Sequence, residues 1–300
     1  MSALSCTVLI VGCGDIGMRV LALLRGRCRV LALTSTASRQ SLLRQAGAVP
    51  VLGDLDRPET LARLAGLADR VLHLAPPAAA GIADQRTAAL LQALARSSAA
   101  PPLVYASTTG VYGDCGGARF DETRRVQPAT QRAWRRVDAE RRVRHYGRMT
   151  GASVCILRVP GIYAVDRPGG HPRERLLRGT PVPLRGEDVY TNHIQADDLA
   201  RACVAALWRG RPQRIVHASD DTELSLGDYF ELAADLCGLP RPPRLSRADL
   251  ARQLGPVQMS FMSESRRLDN RRLKSELGLR LRYPDVTTGL IANPGTRAPG

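Results

Sequence analysis

The 300-residue chain can bury roughly three quarters of its extended surface, enough for a full α/β core with a smaller lobe attached. It has no apolar run of about 18 residues and no signal-like N-terminus, so no membrane partner is expected and the cytoplasm is the expected compartment. The formal charge of +15 raises nucleic-acid binding, but the arginines are dispersed, Lys274 is the only lysine, and 4% aromatics leave little to stack on bases, so no nucleic-acid partner is expected.

In chain order, Thr7 to Val11 is a short β-branched strand that closes on Gly12-Cys13-Gly14-Asp15-Ile16-Gly17. Glycines at this spacing permit a tight turn, close backbone approach to a pyrophosphate and close helix packing, and they mark a dinucleotide site with Gly12, Gly14, Asp15, Ile16 and Gly17 at the phosphates. Apolar residues then recur from Ile16 through Val20, Leu23 and Leu24 as on a helix, which Gly26 can end. The second strand, Arg29 to Leu33, runs into Thr34-Ser35-Thr36-Ala37-Ser38-Arg39, and no acidic residue occurs between Asp15 and Asp54. An NAD site usually places a carboxylate here for the ribose diol, whereas hydroxyls and a guanidinium suit a 2′-phosphate. Thr34, Ser35 and Arg39 therefore favour NADP, with NAD as the alternative; the plain reading is that Ser38 caps a helix and Arg39 is solvated.

Further on, Ser41 to Ala46 reads as helix and Val49 to Leu52 as a strand leading to Gly53-Asp54. A helix follows from Asp56-Arg57-Pro58-Glu59, with a capping box between Asp56 and Glu59. Val71 to Ala75 is a buried strand stopped by Pro76-Pro77, with His73 as a core histidine. Ala83 to Ser97 is a helix, Leu103 to Ser107 a strand, Thr130 to Arg144 a basic helix and Val154 to Arg158 a strand. This alternation predicts a Rossmann-type, doubly wound parallel sheet with helices on both faces. Beyond it come a Pro/Gly-rich loop over 166–172, a helix over 198–207 capped by Asp197, a late strand over 214–218 and a helix over 229–236. The expected organisation is a cofactor domain over 1–164 and a small C-terminal substrate-binding lobe over 165–292, with 190–218 returning to the sheet and 293–300 as a tail. The seven cysteines match no disulfide or zinc spacing and read as reduced thiols, and no metal motif occurs.

Several pieces together resemble the extended short-chain dehydrogenase/reductases, the group containing the NAD-dependent epimerases and dehydratases of nucleotide sugars. Tyr105-Ala106-Ser107-Thr108-Thr109-Gly110-Val111-Tyr112-Gly113-Asp114 is similar to the segment after their fifth strand. Asp54-Leu55 resembles their adenine-contacting pair, Arg158-Val159-Pro160-Gly161-Ile162-Tyr163 carries their proline near the nicotinamide, and Asn192 to Ala200 their late Asp-Asp helix start. By the resemblance Asp54, Leu55, Ala75, Pro76 and Pro160 join the cofactor site. The glycine motif departs, because most extended members carry GxxGxxG, so the resemblance is to an atypical branch.

For chemistry the resemblance implies a hydroxyl four residues before the VYG tyrosine, here Thr108, and a Tyr-x-x-x-Lys pair. Counting back from Glu140, Arg136 stands at the lysine position and Arg132 at the tyrosine position. Arg136 can still donate to a ribose, but a guanidinium cannot serve as the general acid, because it stays charged below about pH 12. Tyr112 or Tyr163 could supply a phenol, against the plainer reading of packing. Arg132 and Arg136 could instead face an anionic substrate, against the plainer reading of a solvated helix face. The expectation is an oxidoreductase or epimerase/dehydratase-like enzyme on a small, anionic substrate. The alternative is a cofactor-binding sensor or scaffold without turnover. A homodimer is left open.

Overall fold

The computed structural model describes residues 6–291; the tail expected over 293–300 lies outside the described residues. Seven parallel strands form one sheet: β1 (Thr7–Val11), β2 (Arg29–Thr34), β3 (Val49–Leu52), β4 (Arg70–His73), β5 (Leu103–Thr108), β6 (Val154–Val159) and β7 (Arg214–His217). Their order is β7-β6-β5-β4-β1-β2-β3, a Rossmann arrangement whose direction of winding reverses between β1 and β4. Among the helices are α1 (Asp15–Leu24), α2 (Arg39–Gln45), α3 (Gln85–Leu94), α4 (Gln131–Thr150), α5 (Arg173–Leu177), α6 (Ala196–Arg209) and α7 (Leu226–Cys237).

The strands are apolar on both faces because both are covered. Val8 and Ile10 of β1 join Val20, Leu21 and Leu24 of α1 and Leu199, Cys203 and Leu207 of α6 in one core. Leu9 and Val11 face the other way, onto Leu90 and Leu94 of α3 and Ala139 and Val143 of α4. A third cluster, around Leu226, Tyr229 and Phe230 of α7 with Leu176 of α5, is the interior of the smaller lobe.

Three local expectations change. Pro58–Leu64 is a 3-10 helix preceded by Arg57 with no side-chain cap, so the Asp56/Glu59 box does not form. The side chain of Gln195, not Asp197, caps α6, accepting from the Asp197 and Asp198 N–H groups; Asp197 pairs with Arg19 and Asp198 is buried. The basic helix continues past Arg144 to Thr150 and ends at Gly151, which adopts the left-handed φ of +73°. His73 is fully buried, its Nε2 2.9 Å from the Thr87 hydroxyl.

Candidate functional site

A cleft of about 580 Å³ opens where the winding reverses, over the C-terminal ends of β1, β2, β4 and β5. The first glycine of the turn makes it possible. Gly12 has φ +88°, and a Cβ there would lie 2.4 Å from the Ala75 backbone nitrogen, so only glycine lets the turn press against the chain leaving β4. Gly17 seats α1 on the turn, with the Gly12 carbonyl 3.1 Å from a hypothetical Cβ. Gly14 is different: it lines the cleft, yet no protein atom lies within 4 Å of a Cβ built on it. Packing does not require glycine at that place, but a group filling the cleft would. Gly14 caps α1 without a side-chain bond, leaving the first-turn N–H groups for an anion.

Gly12, Gly14, Asp15, Ile16 and Gly17 line this cleft together with Thr34, Ser35, Arg39, Asp54, Leu55, Ala75 and Pro76. Pro160 is half-buried and is not in the wall; its neighbours Val159 and Ile162 are. At the β2 end the Thr34 hydroxyl bonds within its own turn, accepting from the Thr36 N–H at 3.2 Å. Arg39 reaches back to donate to the Cys13 carbonyl at 2.8 Å, which spans the gap between the glycine turn and the end of β2. Burial pushes the Cys13 thiol up to about 11 despite the nearby guanidinium, so it stays protonated. Arg86 closes the β3 end of the cleft by a bidentate pair with Asp56, Nε to Oδ1 at 2.7 Å and Nη2 to Oδ2 at 2.5 Å.

At the other end, Arg136 lines the cleft and its Nη1 donates to the Tyr105 hydroxyl and the Ala106 carbonyl, both at 2.9 Å. Burial pushes the Tyr105 phenol up to about 12, so it too stays protonated. One turn along α4, buried Glu140 accepts from Ser107 at 2.6 Å and from Arg158 at 2.7 and 3.0 Å. That buried pair anchors α4 over β5 and β6 and so fixes where Arg136 points.

The structure does not bring the other catalytic candidates into the wall. Thr108 is half-buried just past the cleft-lining Ala106 and Ser107, and its hydroxyl accepts from the Gly110 N–H at 3.3 Å. Tyr112 is fully buried; its hydroxyl lies 2.6 Å from both His217 Nε2 and Arg158 Nη1, and burial pushes it up to about 12. Arg132 is exposed on α4 and Tyr163 is buried in the lobe core. Among the described residues the wall contains no tyrosine, histidine or lysine. Sequence reading missed Tyr105, Ser107, Arg86 and Arg167, all brought here by pairings distant in sequence. Among the described residues no group of histidine, cysteine or carboxylate side chains could hold a metal ion, and no helix is long and apolar enough to cross a membrane.

The family model for the NAD-dependent epimerase/dehydratase family matches residues 8–218. The chain belongs to this family. Among solved structures, a functionally unknown conserved protein from Silicibacter pomeroyi is 30% identical, with 95% of this chain and 97% of that one covered at a TM-score of 0.78. The UDP-glucose 4-epimerase of Thermotoga maritima is 19% identical, with 95% and 96% covered at 0.77. The dTDP-glucose 4,6-dehydratase of Bacillus anthracis, solved in complex with NAD, is 17% identical, with 95% and 94% covered at 0.76. No curated protein matches the sequence significantly. The epimerase/dehydratase fold accounts for the sheet order and for the cleft at the β1/β4 reversal.

Proposed function

We propose that this member of the family binds NADP(H) in the β1/β4 cleft and uses it in an oxidoreductase or epimerase-like reaction on a small anionic substrate. The carrying observation is the end of β2. Thr34, Ser35, Thr36 and Arg39 line the cleft there without a carboxylate among them, so donors and positive charge meet a 2′-phosphate. The α1 N-terminus holds the pyrophosphate. Asp54 and Leu55 flank the adenine end, and Arg136, fixed by Tyr105 and Ala106, reaches the nicotinamide ribose.

When bound, the dinucleotide supplies or accepts a hydride. The chain supplies orientation and charge. Arg136 has N–H groups beyond those used on Tyr105 and Ala106, and a guanidinium beside a reacting oxygen stabilises negative charge without giving up a proton. Among the described residues the wall has no tyrosine, histidine or lysine to exchange the proton. That same observation favours a second reading, a cofactor-binding sensor without turnover.

Calorimetric titration with NADPH and NADH tests the cofactor reading. Tighter NADPH binding, narrowed or inverted by Arg39→Asp, is expected; tighter NADH binding by the wild type overturns it. Loss of nicotinamide absorbance with small carboxylate-bearing aldehydes or ketones separates the enzyme from the sensor.

A further inference from the structure

Asp15 sits in the first turn of α1 and lines the cleft, which puts a carboxylate beside the place where the N–H groups await an anion. Two arginines hold it. Arg19, one turn along, donates to Asp15 at 3.1 Å and to Asp166 and Asp197 at 2.6 and 2.5 Å, so its three nitrogens are all occupied. Arg167 pairs with the other Asp15 oxygen and differs from Arg19, because its side chain also lines the cleft.

Arg167 arrives on the Pro/Gly-rich connection between β6 and the lobe, and that connection is shaped around it. A Cβ on Gly170 would lie 2.5 Å from Arg167 Cδ and 2.9 Å from its Cβ, although φ at Gly170 is outside the region that favours glycine. Glycine at 170 therefore leaves room for the arginine stem within a turn that its own N–H closes on the Arg167 carbonyl at 2.9 Å. The stem lies against Gly170, Arg167 lines the cleft, and among the described residues its ion pair is with a carboxylate at the rim of an anion site.

Resting on the cofactor reading above, we propose that Arg167 is a phosphate-binding residue of the cofactor site, which Asp15 holds ready. With the dinucleotide bound, the guanidinium bridges Asp15 and a pyrophosphate oxygen. This cancels the repulsion Asp15 would otherwise exert and ties the interlobe connection to the cofactor.

NADPH affinities of wild type, Arg167→Ala, Asp15→Asn and the double variant form the test, with backbone amide exchange over 164–172 as a second readout. Arg167→Ala should weaken NADPH about 10- to 100-fold. A similar loss should appear when it is added to Asp15→Asn. NADPH should slow exchange in this segment in the wild type and not in Arg167→Ala. Gly170→Ala, which keeps the charge but displaces the stem, should fall between the two affinities. An unchanged Kd in Arg167→Ala overturns the proposal. So does a loss that vanishes in the Asp15→Asn background, since Arg167 would then only shield Asp15. A wild type that binds neither NADPH nor NADH overturns the cofactor reading and this proposal together; wild-type binding with an indifferent Arg167 overturns this proposal alone.

Discussion

Gly14→Ala separates the role of the glycine turn in the fold from its role toward a ligand. A methyl on Gly14 meets no protein atom within 4 Å, and φ there is −83°, so the backbone does not require glycine. Replacing a glycine N-cap by alanine costs about 1 kcal/mol or less, offset in part by the stiffer unfolded chain. In a protein of this size that is a shift in Tm of about 2–4 °C at most. The same methyl projects into the cleft where the pyrophosphate would lie. Forcing an added methyl against a filled site costs roughly 1–3 kcal/mol, which is about 5- to 150-fold in NADPH affinity. Gly12→Ala is the contrast. Its methyl would lie 2.4 Å from the Ala75 nitrogen at φ +88°, so it should cost about 3 kcal/mol or more of stability. Thermal melts and calorimetry on the two variants give both numbers. A Gly14→Ala protein that melts and binds NADPH like wild type would refute the reasoning.

Further outcomes follow from other parts of the structure. Arg136→Ala should weaken cofactor binding by about 1.5–3 kcal/mol if a charge-assisted bond to the ribose is lost, while Thr108→Ala, outside the wall with its hydroxyl bonded to the Gly110 N–H, should leave affinity unchanged; titrations of both variants check this. Glu140→Ala should destabilise by about 3–5 kcal/mol in urea denaturation, because it strands the buried Arg158 guanidinium. Burial holds His73 at about 3 and His193 and His217 at about 4. These imidazoles stay neutral in the fold while the unfolded chain protonates near pH 6.5, so stability falls with pH, by up to about 1.4 kcal/mol per pH unit for each. Asp220, raised by burial to about 7, and Glu122, also raised by burial, oppose this, but two groups do not balance three. Tm should therefore drop from about pH 7 to pH 5, and a flat or rising profile contradicts it. Duplex DNA should bind weakly and come off at physiological salt, which gel shifts at two salt concentrations would show.

The Rossmann half was legible because its signals are local. Val8 and Ile10 pack on one face and Leu9 and Val11 on the other, which is why β1 reads as an unbroken apolar run, and at a fixed spacing Gly12 and Gly17 allow close packing while Gly14 leaves the cleft open. The smaller lobe was less legible. Its elements are as short as α5, and its strands are pairs such as Val182–Pro183 with Arg244–Leu245, whose partners are far apart in sequence. The polar wall of the cleft was hidden for the same reason. Tyr105 matters through Arg136, 31 residues away, and Asp15 through Arg167, 152 residues away. Tyr112 shows the opposite limit: its motif position is visible in sequence, but its burial against Arg158 and His217 depends on β6 and β7.

The central claim is that the cleft over β1, β2, β4 and β5 is an NADP(H) site, and the most direct measurement is a crystal structure of the protein grown with NADP. The account predicts the 2′-phosphate within hydrogen-bond distance of Arg39, the pyrophosphate over Gly14 and the nicotinamide ribose at Arg136. A dinucleotide bound outside this cleft, or inside it with the 2′-phosphate turned away from Arg39 into solvent, would contradict it.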